Sequence, residues 1–390
     1  MAWASIDQAL NAAVDAGDVP GIVAMAAKTD GPIYQSAFGV RQIGGTEPMA
    51  LDTVFRIASM TKAITSVAAM QLVERGKLSL DNPVPAIDPA LSQPQVLTGF
   101  DAAGRPLLRS AKRPITLKHL LTHTAGFCYA MWNPAVERYV AATGMPLLGS
   151  GKLAALSLPL MFDPGERWEY GINTDWVGRI VEEVSGETLD HYFHDHIFTP
   201  LEMRDTGFAP SAAQRERQAI LHQRAADGSL TPQPFEEPIP REFLSGGGGL
   251  YSTAGNYLNF LAALLRGGRH DAARILKPET VALMAENHIG ALQAGILKTN
   301  APAMTNDVDF FPGQSVRWGL GYMLTLERGP NGRSPGSVTW AGAFNTYYWL
   351  DPVRRVTGLI MTQILPFADP KVLAVYGAFE RGVYEMLGKA

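Results

Sequence analysis

Cysteine is almost missing from this 390-residue chain: Cys128 stands alone, which excludes internal disulfides and any metal site built from several thiolates. Charge is scarce as well. Asp, Glu, Lys and Arg make up 18% of the residues, below the quarter or so usual in soluble domains, and a net charge of −4 leaves no basic footprint for nucleic acid or an anionic membrane. Eighteen consecutive apolar residues occur nowhere, so no membrane span is expected. Internal repeats, charge blocks and low-complexity tails are also lacking. What is plentiful is apolar: 46% of the residues are hydrophobic, enough for one large or two interleaved domains with a sizeable core. The opening MAWASIDQALNAAVDAGD carries Asp7 where a signal peptide would be apolar, and Ile6, Leu10, Ala13 and Val14 recur at helical spacing. It reads as a mature amphipathic helix, which points to the cytoplasm.

Residues 21–40 read as two apolar strands around the turn Thr29-Asp30-Gly31-Pro32. Strand patterns return near the other end, at 322–328, 337–342, 346–351 and 356–364, and a helix at 373–387 follows. Between them the pattern is helical or loop-rich, with helices at 118–124, 175–186 and 254–268 and Pro- or Gly-rich loops at 232–240 and 245–249. The expected fold class is therefore α/β (α+β): an antiparallel sheet built from both chain ends, flanked by helices, with an inserted helical part. The division predicted is 1–80 with 313–390, against 81–312, and the active site lies between the two.

Two serines compete for a nucleophile's role. Gly332-Arg-Ser334-Pro-Gly336 fits G-x-S-x-G, but Pro335-Gly336 breaks the helix that a nucleophile elbow requires, and all eight histidines precede Ser334. A polar turn between strands accounts for it. In FRIASMTKAITSVAAMQLVERGKLSLD (55–81), Met60, Ile64, Val67 and Leu72 fall at helical spacing, which puts Ser59 and Lys62 on one face at a helix's first turn. The positive end of a helix favours a developing anion, and a buried lysine can lend its neutral amine as a base. The plainer account, an N-cap serine and a solvated lysine, holds for S-x-x-K alone, since about one or two such matches arise in any chain this long.

Two further stretches change the balance. RWEYGINTDWVGRIVEEVSG (167–186) places Tyr170 in a loop before a helix, and TWAGAFNTYYWLDP (339–352) ends a strand in a small-residue turn. With HLLTHTAGF, PLEMRDTGF and GGGGLYSTAGNYLNF, this order resembles the serine hydrolases of the penicillin-recognising superfamily. It is most similar to family VIII carboxylesterases, which carry W-x-G where class C β-lactamases carry K-T-G. The resemblance implies a β-lactamase/DD-peptidase-like fold, Ser59 as nucleophile, Lys62 and Tyr170 sharing general-base work as a coupled pair, and an oxyanion held by the backbone N–H groups of Ser59 and Ala343. It implies a substrate wall around Trp340, Gly342, Ile172 and Asn173, with Phe127, Tyr129 and Trp132 lining an acyl pocket.

This chain departs from the lactamase pattern twice. Tyr170-Gly171-Ile172 has Ile where lactamases keep an Asn; Asn173 comes one residue late and is expected instead to cap a helix starting near Thr174. Trp340 offers no cation to a penicillin carboxylate, a loss of roughly 1.5–3 kcal/mol, or on the order of ten- to a hundredfold. Small neutral esters are the expected substrates, with weak β-lactam hydrolysis as a side activity. An acyltransferase, an amide hydrolase and a non-catalytic ligand-binding relative are the alternatives. No cofactor or metal is expected: His191, His194 and His196 lack a partner stretch with ligand spacing, and Gly246–Gly249 lacks the Lys-Ser/Thr of a phosphate loop.

Overall fold

The computed structural model describes residues 3–234 and 241–389, so residues 235–240 of the loop expected at 232–240 lie outside the described residues. Helix α1 (Ala4–Asp15) leads into β1 (Gly21–Lys28) and β2 (Gly31–Gly39), and β1 is buried along nearly its whole length because GIVAMAA has no polar side to offer solvent. Helices α2 (Thr61–Glu74), α3 (Leu117–Leu121), α4 (Asn173–Ser185) and α5 (Ala254–Leu265) follow. The chain then forms β3 (Val316–Trp318), β4 (Met323–Thr325), β5 (Val338–Gly342), β6 (Thr346–Asp351), β7 (Val356–Met361) and α6 (Pro370–Lys389).

These strands make one seven-stranded sheet in the order β3-β4-β5-β6-β7-β1-β2, antiparallel throughout. The two ends of the chain meet inside it, where Val23 of β1 is paired with Met361 of β7. Alternation along β6 serves both faces. Tyr348 meets Tyr257 of α5 on one side, while Trp349 packs on Phe379 of α6 on the other. Helix α5 comes from the middle of the chain yet packs on β1 and β7, so the sheet's cover does not follow the division at 81–312. Helix α2 is buried on every side from Thr61 to Leu72, as a helix without a charged face must be, and lies against α4.

Departures from the sequence expectation are local. The strand expected at 322–328 shortens to Met323–Thr325, and its neighbour Val316–Trp318 was not anticipated. The strand at 356–364 stops at Met361; Ile364–Leu365 pairs instead with Leu221–Arg224 in a separate sheet. Strand Leu230–Gln233 occupies the start of the proline-rich loop. The middle segment also contains a hairpin, Gln95–Phe100 with Pro106–Ser110, where helix or loop was expected. Helix α6 starts at Pro370 because the Asp369 carboxylate accepts from the N–H groups of Lys371 and Val372, capping it earlier than the apolar pattern suggested.

Candidate active site

Ser59 sits in a 3-10 turn, Ala58–Met60, one step ahead of α2 and not within its first α-turn. The turn is pinned from behind: Ile57 N–H donates to the Leu250 carbonyl, and the Tyr257 hydroxyl donates to the Met60 carbonyl at 2.9 Å. Ala58 adopts φ 42°, a left-handed conformation that disfavours alanine and that the packing around it must sustain. Ser59 is half-buried against a cavity, whereas Lys62 is 1% exposed. The Lys62 ammonium nitrogen donates to Ser59 Oγ at 3.2 Å, to Tyr129 Oη at 3.1 Å and to the Gly247 carbonyl at 2.6 Å, and lies 4.8 Å from the centre of the Tyr170 ring.

Tyr170 reaches this point on the loop before α4. Gly171 lets that loop press on the chain at Phe127 and Cys128, since a Cβ there would fall 2.0 Å from the Phe127 carbonyl oxygen. Trp340 of β5 donates from Nε1 to Tyr170 Oη at 3.1 Å. Beyond β5, the turn that presents Ala343 is held by Asn345, at φ 61°, whose amide donates to the carbonyls of Ile364 and Pro366. Ser59, Tyr129, Trp132, Tyr170, Trp340 and Ala343 line a cavity of about 260 Å³. Met131, Leu148, Phe243 and Phe367 make most of the remaining wall apolar.

Four expected wall residues are elsewhere. The Phe127 ring is fully buried towards Trp176, and its carbonyl accepts from Asn173 Nδ2 at 3.0 Å. Asn173 is the first helical residue of α4, with Ile172 before it at the cap position, so it caps nothing; its amide is spent on Phe127 and on His123 Nδ1. Ile172 is buried in the core. Gly342 faces the chain and not the cavity: a Cβ there would meet the Ile57 carbonyl at 2.3 Å, so glycine is what lets β5 close on the Ser59 turn. Ser334 lies in the β4–β5 loop, where its N–H donates to Asp351. His194 pairs with Asp195, and His196 with Glu187.

Two participants escaped the sequence reading. Gly246–Gly249 is more than a turn before a helix: the Gly247 carbonyl accepts from Lys62 while its N–H donates to the Asp175 carboxylate at 3.0 Å. Asp175, fully buried, also accepts from Ser245 Oγ at 2.6 Å; burial pushes its carboxyl up, and the Lys62 charge pulls it partly back. A run of four glycines was the available signal for one, but nothing in NTDWVG distinguishes Asp175 from an ordinary acidic first-turn residue. Burial, and next the charge of Asp175, hold the Tyr129 phenol well above its ordinary pKa, so it meets Lys62 as a neutral hydroxyl.

The HLLTHT segment supports this site with imidazoles kept neutral. His123 meets Tyr170 at a tilt, with ring centres 4.7 Å apart, and burial followed by the Lys62 charge lowers its pKa well below the ordinary value. Burial, with Arg113 and Lys118 nearby, lowers that of His119 to about 4, and its Nδ1 accepts from Thr116 N–H at the cap of α3. In the unfolded chain both would titrate near about 6.5. Their folded values lie lower, so the unfolded state gains protons first: stability is intact above about 6.5 and is lost as pH falls towards about 4. The melting temperature is expected to drop between pH 7 and pH 5, and His119→Gln to flatten part of that slope. A melting temperature that holds or rises over this interval would contradict neutral burial.

A half-buried serine joined to a buried lysine, a tyrosine above them and a backbone turn opposite, between the end of interior strand β5 and helix α2, define the serine acyl-transfer class of the β-lactamase-like fold. Comparison with known proteins places the chain within it: residues 6–380 match the Beta-lactamase family, and the protein belongs to that family. It is 33% identical to monacolin J acid methylbutanoyltransferase of Aspergillus terreus, over 97% of this chain and 95% of the relative. To lovastatin esterase of Penicillium rubens it is 32% identical, over 97% and 98%. Among solved structures, a mutant of simvastatin synthase from Aspergillus terreus superposes with a TM-score of 0.85 at 31% identity, covering 99% of this chain and 95% of that one.

Proposed function

We propose that the protein is a serine carboxylesterase or acyltransferase that takes an acyl group from a small neutral ester onto Ser59. The observation that carries this is the contact of Lys62 Nζ with Ser59 Oγ at the wall of a largely apolar cavity. Ser59 Oγ attacks the ester carbonyl carbon while its proton passes to the Lys62–Tyr170 pair, which for this step holds one proton fewer than an ammonium and a phenol together. The N–H groups of Ser59 and Ala343 hold the oxyanion; as it collapses, the alcohol leaves with that proton. Water or a second alcohol then takes the acyl group by the same steps in reverse order. Trp340 supplies an apolar wall and fixes the Tyr170 oxygen, which supports neutral substrates over the carboxylates that a lysine at this position would meet.

Relatives named as a transferase and as an esterase match at nearly equal identity, which supports both fates of the acyl-enzyme. The narrower likeness to family VIII carboxylesterases belongs to this proposal. The test is pre-steady-state release of p-nitrophenol from p-nitrophenyl butyrate, with Ser59 identified by fluorophosphonate labelling and product analysis with and without an added alcohol. A burst is expected, with butyrate alone as product in water and a share of butyrate ester once alcohol is present. Turnover is expected to be unchanged by EDTA. Absence of both burst and label would sink the proposal.

A further inference from the structure

Trp340 lines two cavities at once. One is the active-site cavity; the other, a partly open one of about 160 Å³, is walled by Phe310, Tyr347, Leu373 and Tyr376 and also by the polar Asp309, Asn331 and the buried Arg333–Glu380 ion pair. Interiors are close-packed, with few voids larger than a water molecule, and a volume of about 150 Å³ is enough to take a benzene ring, so the space on this side of the indole is room that packed atoms would otherwise fill. A wall backed by such a space can yield where a wall backed by packed atoms cannot. Trp340 is held by Trp318, with ring centres 4.6 Å apart, and by the bond to Tyr170 of the active-site cavity. On the other side Phe310 meets it edge-on at 6.3 Å; this half-buried ring, which also touches Tyr347 and Phe367, lines the second cavity but not the first.

We infer that the second cavity is reserve volume for the acyl group: Trp340 is a compliant wall, and Phe310 sets how far it gives, which makes Phe310 a specificity-determining residue for acyl bulk. The inference rests on the acyl-enzyme reading above and adds to it the substrate range, namely branched or aromatic acyl groups in place of acetyl. Such groups press the indole back towards Phe310; a two-carbon acyl group does not. Phe310 itself touches no reacting atom.

The test compares kcat/KM for p-nitrophenyl benzoate with that for p-nitrophenyl acetate, a ratio that a mere loss of folded enzyme leaves unmoved. Phe310→Ala removes the backing and is expected to raise the benzoate-to-acetate ratio about tenfold, the scale of a small apolar volume change in a binding pocket. Leu373→Trp fills the reserve volume from α6 and is expected to lower the ratio at least about threefold. Should that variant fail to fold, Gly377→Val fills it from the same helix, where the nearest atoms to a Cβ are those of the Asn331 side chain, at 3.2 Å and beyond. Opposite shifts in emptied and filled variants establish the compliant wall. An unmoved ratio in both, with an acetate burst intact, overturns this inference and leaves the acyl-enzyme reading standing. No acetate burst in the wild-type protein overturns that reading and the inference with it.

Discussion

Replacing Ser59 by alanine is expected to remove ester turnover, with a loss of roughly 10⁶ in kcat, the scale seen when a serine enzyme loses its nucleophile. Ser59 Oγ is the aliphatic hydroxyl at the cavity wall that touches Lys62, whose other hydroxyl contact there is the phenol of Tyr129. The fold should survive, because the 3-10 turn is held by Leu250 and Tyr257 through backbone groups, not by the serine side chain. Ser334→Ala is the matched control. Its backbone is tied to Asp351 in the β4–β5 loop, and activity should stay nearly intact. Steady-state rates on p-nitrophenyl butyrate decide the matter: equal losses from the two changes would remove Ser59 from its assigned role.

Tyr170→Phe and Lys62→Ala are expected to cost 10²- to 10⁴-fold each, the usual range for a positioned acid or base. The two changes differ in what they leave behind. Phenylalanine keeps the ring between His123, Tyr129 and Trp340 and removes only the oxygen that Trp340 Nε1 contacts, so circular dichroism and melting temperature should change little. Alanine at 62 removes the donor to Gly247 and leaves the buried Asp175 without its nearby charge, so this variant should also melt lower. If Tyr170→Phe keeps full kcat with an unchanged spectrum, Tyr170 is a packing residue and the proton must travel through Lys62 alone.

The residues that were legible in the sequence are those whose role depends on local spacing. Ser59 and Lys62 are three apart ahead of a helical apolar pattern, and the structure joins them directly. The pattern at 346–351 coincides with β6 because alternate residues must serve two covered faces. What was not legible depends on contacts between distant segments. Three-residue β3 is too short to show a period, and exists because β4 offers it a partner. Asp175 and Gly247 are adjacent only once α4 and the glycine stretch fold together. Phe127 and Asn173 look like pocket residues by order along the chain, but the His123 segment and α4 turn them towards each other. Gly342, expected in the substrate wall, gives the space beside it to the Ile57 carbonyl.

The pairing of β1 with β7 has a consequence for the order in which this molecule can assemble. During synthesis the first strand is made early, yet its hydrogen-bonding neighbour on one side emerges only near the end, almost the whole chain later. Until then GIVAMAAK has β2 alone as a partner, and an apolar edge waits uncovered. Contacts so remote along the chain pay their loop-closure entropy before they return any stability, which slows folding and lengthens exposure of that edge to other chains. The wall that carries Trp340 and Ala343 belongs to the same late-arriving strands, so a nascent chain holds Ser59 and Lys62 long before it holds a place for a substrate.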